Sequence, residues 1–359
     1  MILRIGFVRL IDAAPLIVAL EQGYFFQEGL QVVLEPQFDW VSLRDNISMG
    51  FLDAALAALG SPIMSQLGRA GFVEPLVGVM NVGAGGDSIV ISRDLAQAGV
   101  VNAATLGELV RSRRQSRKLI CAHPSPYSAN HYLLREWLSQ GGLNPDHDVQ
   151  LTQITTAQAA DHLARHYVDV FCIAEPWGTL ADQSGWGKLL SATTDVMADH
   201  PEKMLVVTEA FTQTSGEELA RMIRAVLKGC RYCQDPSNAG ELARLLFQSG
   251  YLNQEAQVIE ASLAIDAQSA GSEVVKQSRQ AGWRFRSWAD EFCCPSAATV
   301  GWFIKQMVRW GELSDQVDVD QLSRRCLRGE FFRQAVNSPD MAFVSGAGLS
   351  WLSAAGTPG

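Results

Sequence analysis

Long apolar runs and strong positive charge are both missing from this chain. No stretch of about 18 or more uncharged apolar residues occurs, which argues against a membrane-spanning helix. Charged residues make up only 19%, with 38 acidic against 29 basic side chains and a net charge of −9. A phosphate backbone is gripped by clustered Lys and Arg, so direct binding of nucleic acid is not expected. The seven cysteines, an odd number, lack paired C-x2-C loops and imply neither a disulfide framework nor a zinc centre. His162 and His166 share a helix face without the Glu of H-E-x-x-H, and Gly83-Ala84-Gly85-Gly86 lacks the spacing of a dinucleotide loop. No positively charged n-region, apolar h-region or small-residue cleavage site precedes the strand text that begins at Ile2. A cytoplasmic protein without metal or cofactor is the expectation, and acidic charge leaves room for a basic protein partner.

What is present is an alternation of strands and helices. At 359 residues with 47% hydrophobic content, the chain exceeds one typical core and suggests two lobes. Ile2–Val8 reads as a strand, followed by a helix beginning near Pro15 that Asp12 is placed to cap. Leu30–Leu34 is a strand, Val41–Met49 a helix, Asp53–Ala58 a small-residue strand, and Ser61 a cap for a helix from Pro62. The pattern recurs in the strand Lys118–Ala122, the helix Ala129–Gln140 capped by Ser128, the helix Asp161–Tyr167 and the strand Asp169–Ile173. Asp45-x-Ile47…Asp53-Ala54-x-Leu56 matches Asp161-x-Leu163…Asp169-Val170-x-Cys172 at the same offsets, a weak internal repeat that supports two related lobes.

Residues 1–92 and 205–335 are assigned to the first lobe and 93–204 to the second, with a loose tail at 336–359. The segments around Ile89–Arg93 and Lys203–Thr208 are read as the hinge crossings of a cleft-closing protein. Arg111, Arg113, Arg114, Arg117 and Lys118 form one basic run, read as a solvated helix end.

Separated motifs occur in a telling order: Asp12-Ala13-Ala14-Pro15, Trp40-x3-Arg44-Asp45, Leu52-Asp53-Ala54, His131 within SANHYLLREWLSQGGLNP, Ala174-Glu175-Pro176-Trp177 and His200-Pro201-Glu202-Lys203. On these the chain resembles the nitrate/bicarbonate-binding branch of the type II periplasmic solute-binding proteins. Within that branch it is most similar to the cytoplasmic nitrate/nitrite sensors of the NasS type, which hold an ANTAR-domain antiterminator inactive until the anion arrives. The resemblance implies an α/β fold of two lobes, each a mainly parallel sheet flanked by helices, with the ligand between them. It also implies a nitrate site at Trp40, His131, the backbone of Ala174 and Lys203.

That set suits a small planar anion. Burying a negative charge requires a compensating charge and several donors. Lys203 offers an ammonium, Trp40 an indole N–H beside a flat wall, and His131 a ring in the first turn of its helix, where the dipole favours anions. Donors without acceptors favour nitrate or nitrite over bicarbonate, whose hydroxyl needs an acceptor. Near Gly86 the family has an amide side chain, whereas here the position falls to Asp87 or Ser88; an ionised Asp87 would repel the ligand. Glu175 is read as structural. The implied partners are nitrate or nitrite and the antiterminator, released when the anion binds. A transporter's solute receptor is the alternative. An enzyme of the thiamin-pyrimidine synthase kind is a further one, for which no Ser/His/Asp or Cys/His arrangement is evident at the inferred site.

Overall fold

The alternating text builds two five-stranded sheets, described in a computed structural model for residues 2–112, 117–198, 200–264 and 286–337. The first sheet takes β1 (Ile2–Val8), β2 (Gln31–Gln37), β3 (Ala54–Ala58), β4 (Leu76–Asn81) and β11 (Lys203–Thr208), in the order β2-β1-β3-β11-β4. The second takes β6 (Asp87–Ser92), β7 (Leu119–His123), β8 (Val149–Gln153), β9 (Val170–Ala174) and β10 (Gly187–Ala192), in the order β10-β6-β9-β7-β8.

In the first sheet β1 is parallel to both its neighbours, while β11 is antiparallel to β3 and β4. In the second, β7 is parallel to both neighbours, while β6 is antiparallel to β9 and β10. Each sheet is therefore parallel but for one reversed strand. Those reversed strands, β6 and β11, are the ones by which the chain arrives from the other lobe.

The repeat in the sequence has a structural counterpart. Asp53 exchanges two bonds with Arg4 on β1: its carboxylate accepts from Arg4 N at 2.8 Å and its N–H donates to Arg4 O at 2.9 Å. Asp169 does the same to Ile120 on β7, at 2.8 Å in both directions. An acid just before β3 and another just before β9 thus clamp the parallel neighbours β1 and β7 and set their register.

The chain leaves the first sheet at residues 82–86 and returns at 193–202. The expected exit at Ile89–Arg93 falls within and just after β6, and the boundaries at 92/93 and 204/205 follow β6 and cut β11. The alternation of apolar residues could not separate a strand of one sheet from a strand of the other. The crossings are bound together: Gly85 N donates to His200 O at 2.9 Å, and β5 (Ala84–Gly85) pairs antiparallel with β12 (Arg286–Ser287).

Helices cover both sheets. Helix Gly216–Gln234 packs on helix Ala14–Glu21 so closely that a Cβ on Gly229 would meet the Pro15 carbonyl at 2.2 Å. Helix Ala297–Arg309 spans the lobes, with Phe303 edge-on to Tyr132 of helix Ala129–Gln140 at 5.1 Å. One apolar cluster consequently joins Ala55, Ala57 and Val206 of the first sheet to Ile89, Cys121 and Cys172 of the second.

Three expected caps are corrected. Asp12 lies in a short 3-10 turn and caps nothing, Gly60 precedes Ser61 inside the helix Gly60–Gln66, and Ser128 donates to Ser125 O instead of capping. All seven cysteines are free thiols. The expected tail lies outside the described residues apart from Val336, which ends the helix Gly329–Val336, and Asn337; Arg113 and Arg114 also lie outside them.

Candidate functional site

Strand β11 opens with Lys203, opposite Ala58 at the end of the small-residue strand β3. The lysine is 1% exposed, so its ammonium must be answered inside the protein. Glu202 accepts a hydrogen bond from Nζ, and Asp12 Oδ1 stands 3.4 Å away. Burial opposes its charge, but Asp12, Glu202 and Asp87 together outweigh that and raise its pKa. Lys203 is therefore a fixed donor within a buried network whose carboxylates compensate its charge.

The network reaches across the chain. Arg286 Nη1 lies 2.7 Å from Asp12 Oδ1, and Arg286 Nη2 donates to Asp12 Oδ2 at 3.1 Å and to Gly86 O at 3.0 Å. Burial pushes the Asp12 carboxyl up, but Arg286 and Lys203 outweigh it and hold the group ionised. A Cβ on Gly86, at φ +107°, would overlap the Arg286 guanidinium, so glycine is required there on both counts.

Asp87 is wholly buried, and neither carboxylate oxygen has a partner among the described residues. Burial first, then the charge and the carboxyl–carboxyl contact of Glu202, drive its pKa well up, against the opposing pull of Lys203. The two cations Lys203 and Arg286 thus stand among the three carboxyl groups of Asp12, Asp87 and Glu202.

The alternation of β6 turns Ser88 the other way. Its hydroxyl donates to Glu175 Oε1, whose Oε2 accepts from Thr179 N at 3.0 Å. Glu175 is therefore engaged structurally, as its sequence context implied. Of the two residues left open, Asp87 faces Lys203 and Ser88 does not. Ala174 is the register partner of Asp87 on β9, which places its backbone beside the cluster.

Trp40 opens the helix Trp40–Ser48, capped by Asp39 accepting from Ser42 N at 2.8 Å. Lys203 Nζ lies 5.6 Å from the centre of its ring, and Trp40 Nε1 has no partner among the described residues. The indole also borders a cleft of about 330 Å³ lined by Arg44, Ser61 and Phe72 of first-lobe segments and by Ser125, Tyr127 and Gln153 of the second. Gly60 lets these walls approach: a Cβ there would stand 2.2 Å from the Tyr127 carbonyl.

His131 sits in the first turn of helix Ala129–Gln140. Its neighbour Asn130 donates to Cys172 Sγ at 3.8 Å, two residues before Ala174 on β9. Its Nε2 is engaged by Glu312 and Arg135, and Nδ1 has no partner among the described residues. Burial, with Arg135, lowers its pKa against the opposing pull of Glu312, so the ring is neutral. The adjacent His123, 4.4 Å centre to centre, is pushed down to about 3, first by burial and then by His131.

Trp40, Asp87, Ala174 and Lys203 are thus gathered at the lobe junction, with His131 on the adjoining helix start. Sequence reasoning missed Asp12, Glu202, Arg286, Arg135 and Glu312 as members of this setting. Glu202 and Asp12 lay inside the quoted motifs, whereas Arg286 joins from 274 residues away and left no local signal.

Comparison with known proteins accords with this architecture. The chain is 32% identical over 333 residues to the bicarbonate transport ATP-binding protein CmpC of Synechococcus elongatus, which covers 92% of this chain and 48% of that protein. It is 27% identical over 345 residues to the nitrate/nitrite binding protein NrtA of the same species, covering 93% and 77%. The chain spans about half the length of the first of these relatives. The crystal structure of the periplasmic nitrate-binding protein NrtA from Synechocystis PCC 6803 superposes with a TM-score of 0.85 at 23% identity, over 94% of this chain and 89% of that one. The fold is that of the type II periplasmic-binding proteins, two lobes with a cleft between them. Residues 2–247 match the NMT1-like family, and the chain belongs to it.

Proposed function

We propose that this protein binds nitrate or nitrite in the cleft between its lobes and works as a cytoplasmic sensor. The observation that carries the reading is Trp40, which lines the cleft between the lobes in front of the buried Lys203 network. Lys203 lies beneath an indole whose N–H is unpartnered among the described residues, beside an Asp87 whose pKa burial and Glu202 raise. Donors of this kind suit an anion that only accepts hydrogen bonds. Relatives named for nitrate/nitrite and for bicarbonate support a small-anion ligand.

The sensor would signal by closure: the anion favours the closed form, and an ANTAR-type antiterminator favours the open one. Complete switching between bound and released partner needs about 5.5 kcal/mol of differential affinity. The match to about half of longer chains named as transport ATP-binding proteins shows that such a domain also occurs as part of a larger protein. The receptor of a nitrate transporter is the second reading, favoured by the match to NrtA along most of that protein's length.

Calorimetric titration with nitrate, nitrite and bicarbonate, on wild type and on Trp40→Phe, tests the ligand. Micromolar nitrate or nitrite binding, weakened about tenfold by loss of the indole N–H, is expected. Binding of none of the three would overturn the reading. Gel filtration with the antiterminator separates the roles: a complex that dissolves on adding nitrate marks the sensor, and no complex at any nitrate level marks the receptor.

A further inference from the structure

His131 Nε2 is claimed by two groups that require opposite things of it. Arg135 Nε lies 3.0 Å away and can only donate, while Glu312 Oε1 lies 3.1 Å away and, ionised, can only accept. A neutral imidazole nitrogen carries either a lone pair or a proton, so only one contact is satisfied at a time. The choice fixes the other end of the ring. Nδ1 bears the proton if Arg135 prevails and a lone pair if Glu312 does, and Nδ1 is the atom left without a partner among the described residues on a side chain 4% exposed.

The surroundings favour Arg135. Its guanidinium is anchored by Asp146 at 2.9 Å and lies 4.8 Å from the centre of the Trp310 ring, and it cannot shed its protons. Glu312 has another donor, the Tyr132 hydroxyl at 2.6 Å. We propose that Arg135 is a positioning residue that fixes His131 as the Nδ1–H tautomer, so that a ligand meets a donor there, with Glu312 as the counterweight. Acceptor-only oxyanions gain from that choice. An oxyanion carrying its own hydroxyl, such as bicarbonate, gains from the reverse. This consequence rests on the anion-binding reading, whereas the tautomer itself does not.

Two-bond nitrogen–proton correlation spectra of protein labelled with 15N in the histidine rings test the tautomer directly, with His131 assigned by its loss in His131→Gln. The expected spectrum has Nδ1 protonated and Nε2 bare in the wild type without any ligand. Glu312→Gln keeps that pattern, and Arg135→Met reverses it. A wild-type ring protonated at Nε2, or an unchanged ring in Arg135→Met, overturns the proposal. In nitrate titrations Arg135→Met is expected to weaken binding tenfold or more and Glu312→Gln by less than threefold. Equal affinity of Arg135→Met and wild type would refute the link to the ligand. Absence of nitrate and nitrite binding by the wild type would instead refute the proposed function, and the spectra would still decide the tautomer.

Discussion

Replacing Asp87 with Asn tests whether a neutral acid stands at the lobe junction. Asp87 is fully buried, its two oxygens have no partner among the described residues, and burial followed by Glu202 raises its pKa well above the ordinary value. The sign follows from proton counting. Above about pH 4 the unfolded chain has released this proton while the folded protein keeps it, so wild-type stability falls as pH rises toward the folded pKa. The slope is about 1.4 kcal/mol per pH unit for one group while the folded form keeps its proton. An asparagine side chain is nearly isosteric, keeps a donor and carries no such proton. The Asp87→Asn variant should therefore gain stability relative to wild type at each step from pH 5 to pH 7. Urea unfolding followed by tryptophan fluorescence at pH 5, 6, 7 and 8 measures the difference. A difference that stays flat across this range would show Asp87 ionised in the fold and refute the reasoning.

Other outcomes follow from the same geometry. Lys203→Met strands Glu202 in the interior and should cost about 3–5 kcal/mol, with a second change Glu202→Gln recovering most of it in the same unfolding assay; Asp12 keeps Arg286 at 2.7 Å. Gly60→Val drives a side chain into the Tyr127 carbonyl, so the walls of the cleft must part; anion affinity should fall at least tenfold in calorimetry while the far-ultraviolet dichroism is unchanged. Asp53→Ala and Asp169→Ala should each destabilise the fold by about 1–3 kcal/mol through loss of the backbone clamp. The Asp169 change should cost more, because that carboxylate also holds Arg117 bidentately at 2.7 Å; equal losses in thermal unfolding would remove the distinction.

Much of the fold was written locally. The helix Ala129–Gln140 has the limits its flanking Ser128 and Gly141 suggested, because a non-helical start and a glycine stop are features of neighbouring residues. The matched Asp-x-apolar offsets marked equivalent strands in the two lobes, since an acid one residue before a strand can clamp its neighbour wherever that pattern recurs. Asp12 shows where such reading stops. An acid before Pro15 looks the same whether it caps a helix or pairs with a buried guanidinium, and only the approach of Arg286 distinguishes the two. Asp87 and Ser88 likewise differ in sequence only by one position, but strand alternation sends one toward Lys203 and the other toward Glu175.

Element order, the repetition of the lobe and the short motifs that carry Trp40, His131, Ala174 and Lys203 were legible in the chain, because periodicity, turn chemistry and spacing are properties of residues a few places apart. That Lys203 is compensated, that the Asp87 pKa is raised, that β6 belongs to the second sheet, and that Arg135 and Glu312 both reach His131 emerges only once the chain is folded. Each of these depends on what a group finds across space once water is excluded. In a low-dielectric interior a carboxylate's proton and an imidazole's tautomer are set by partners that come from anywhere in the chain.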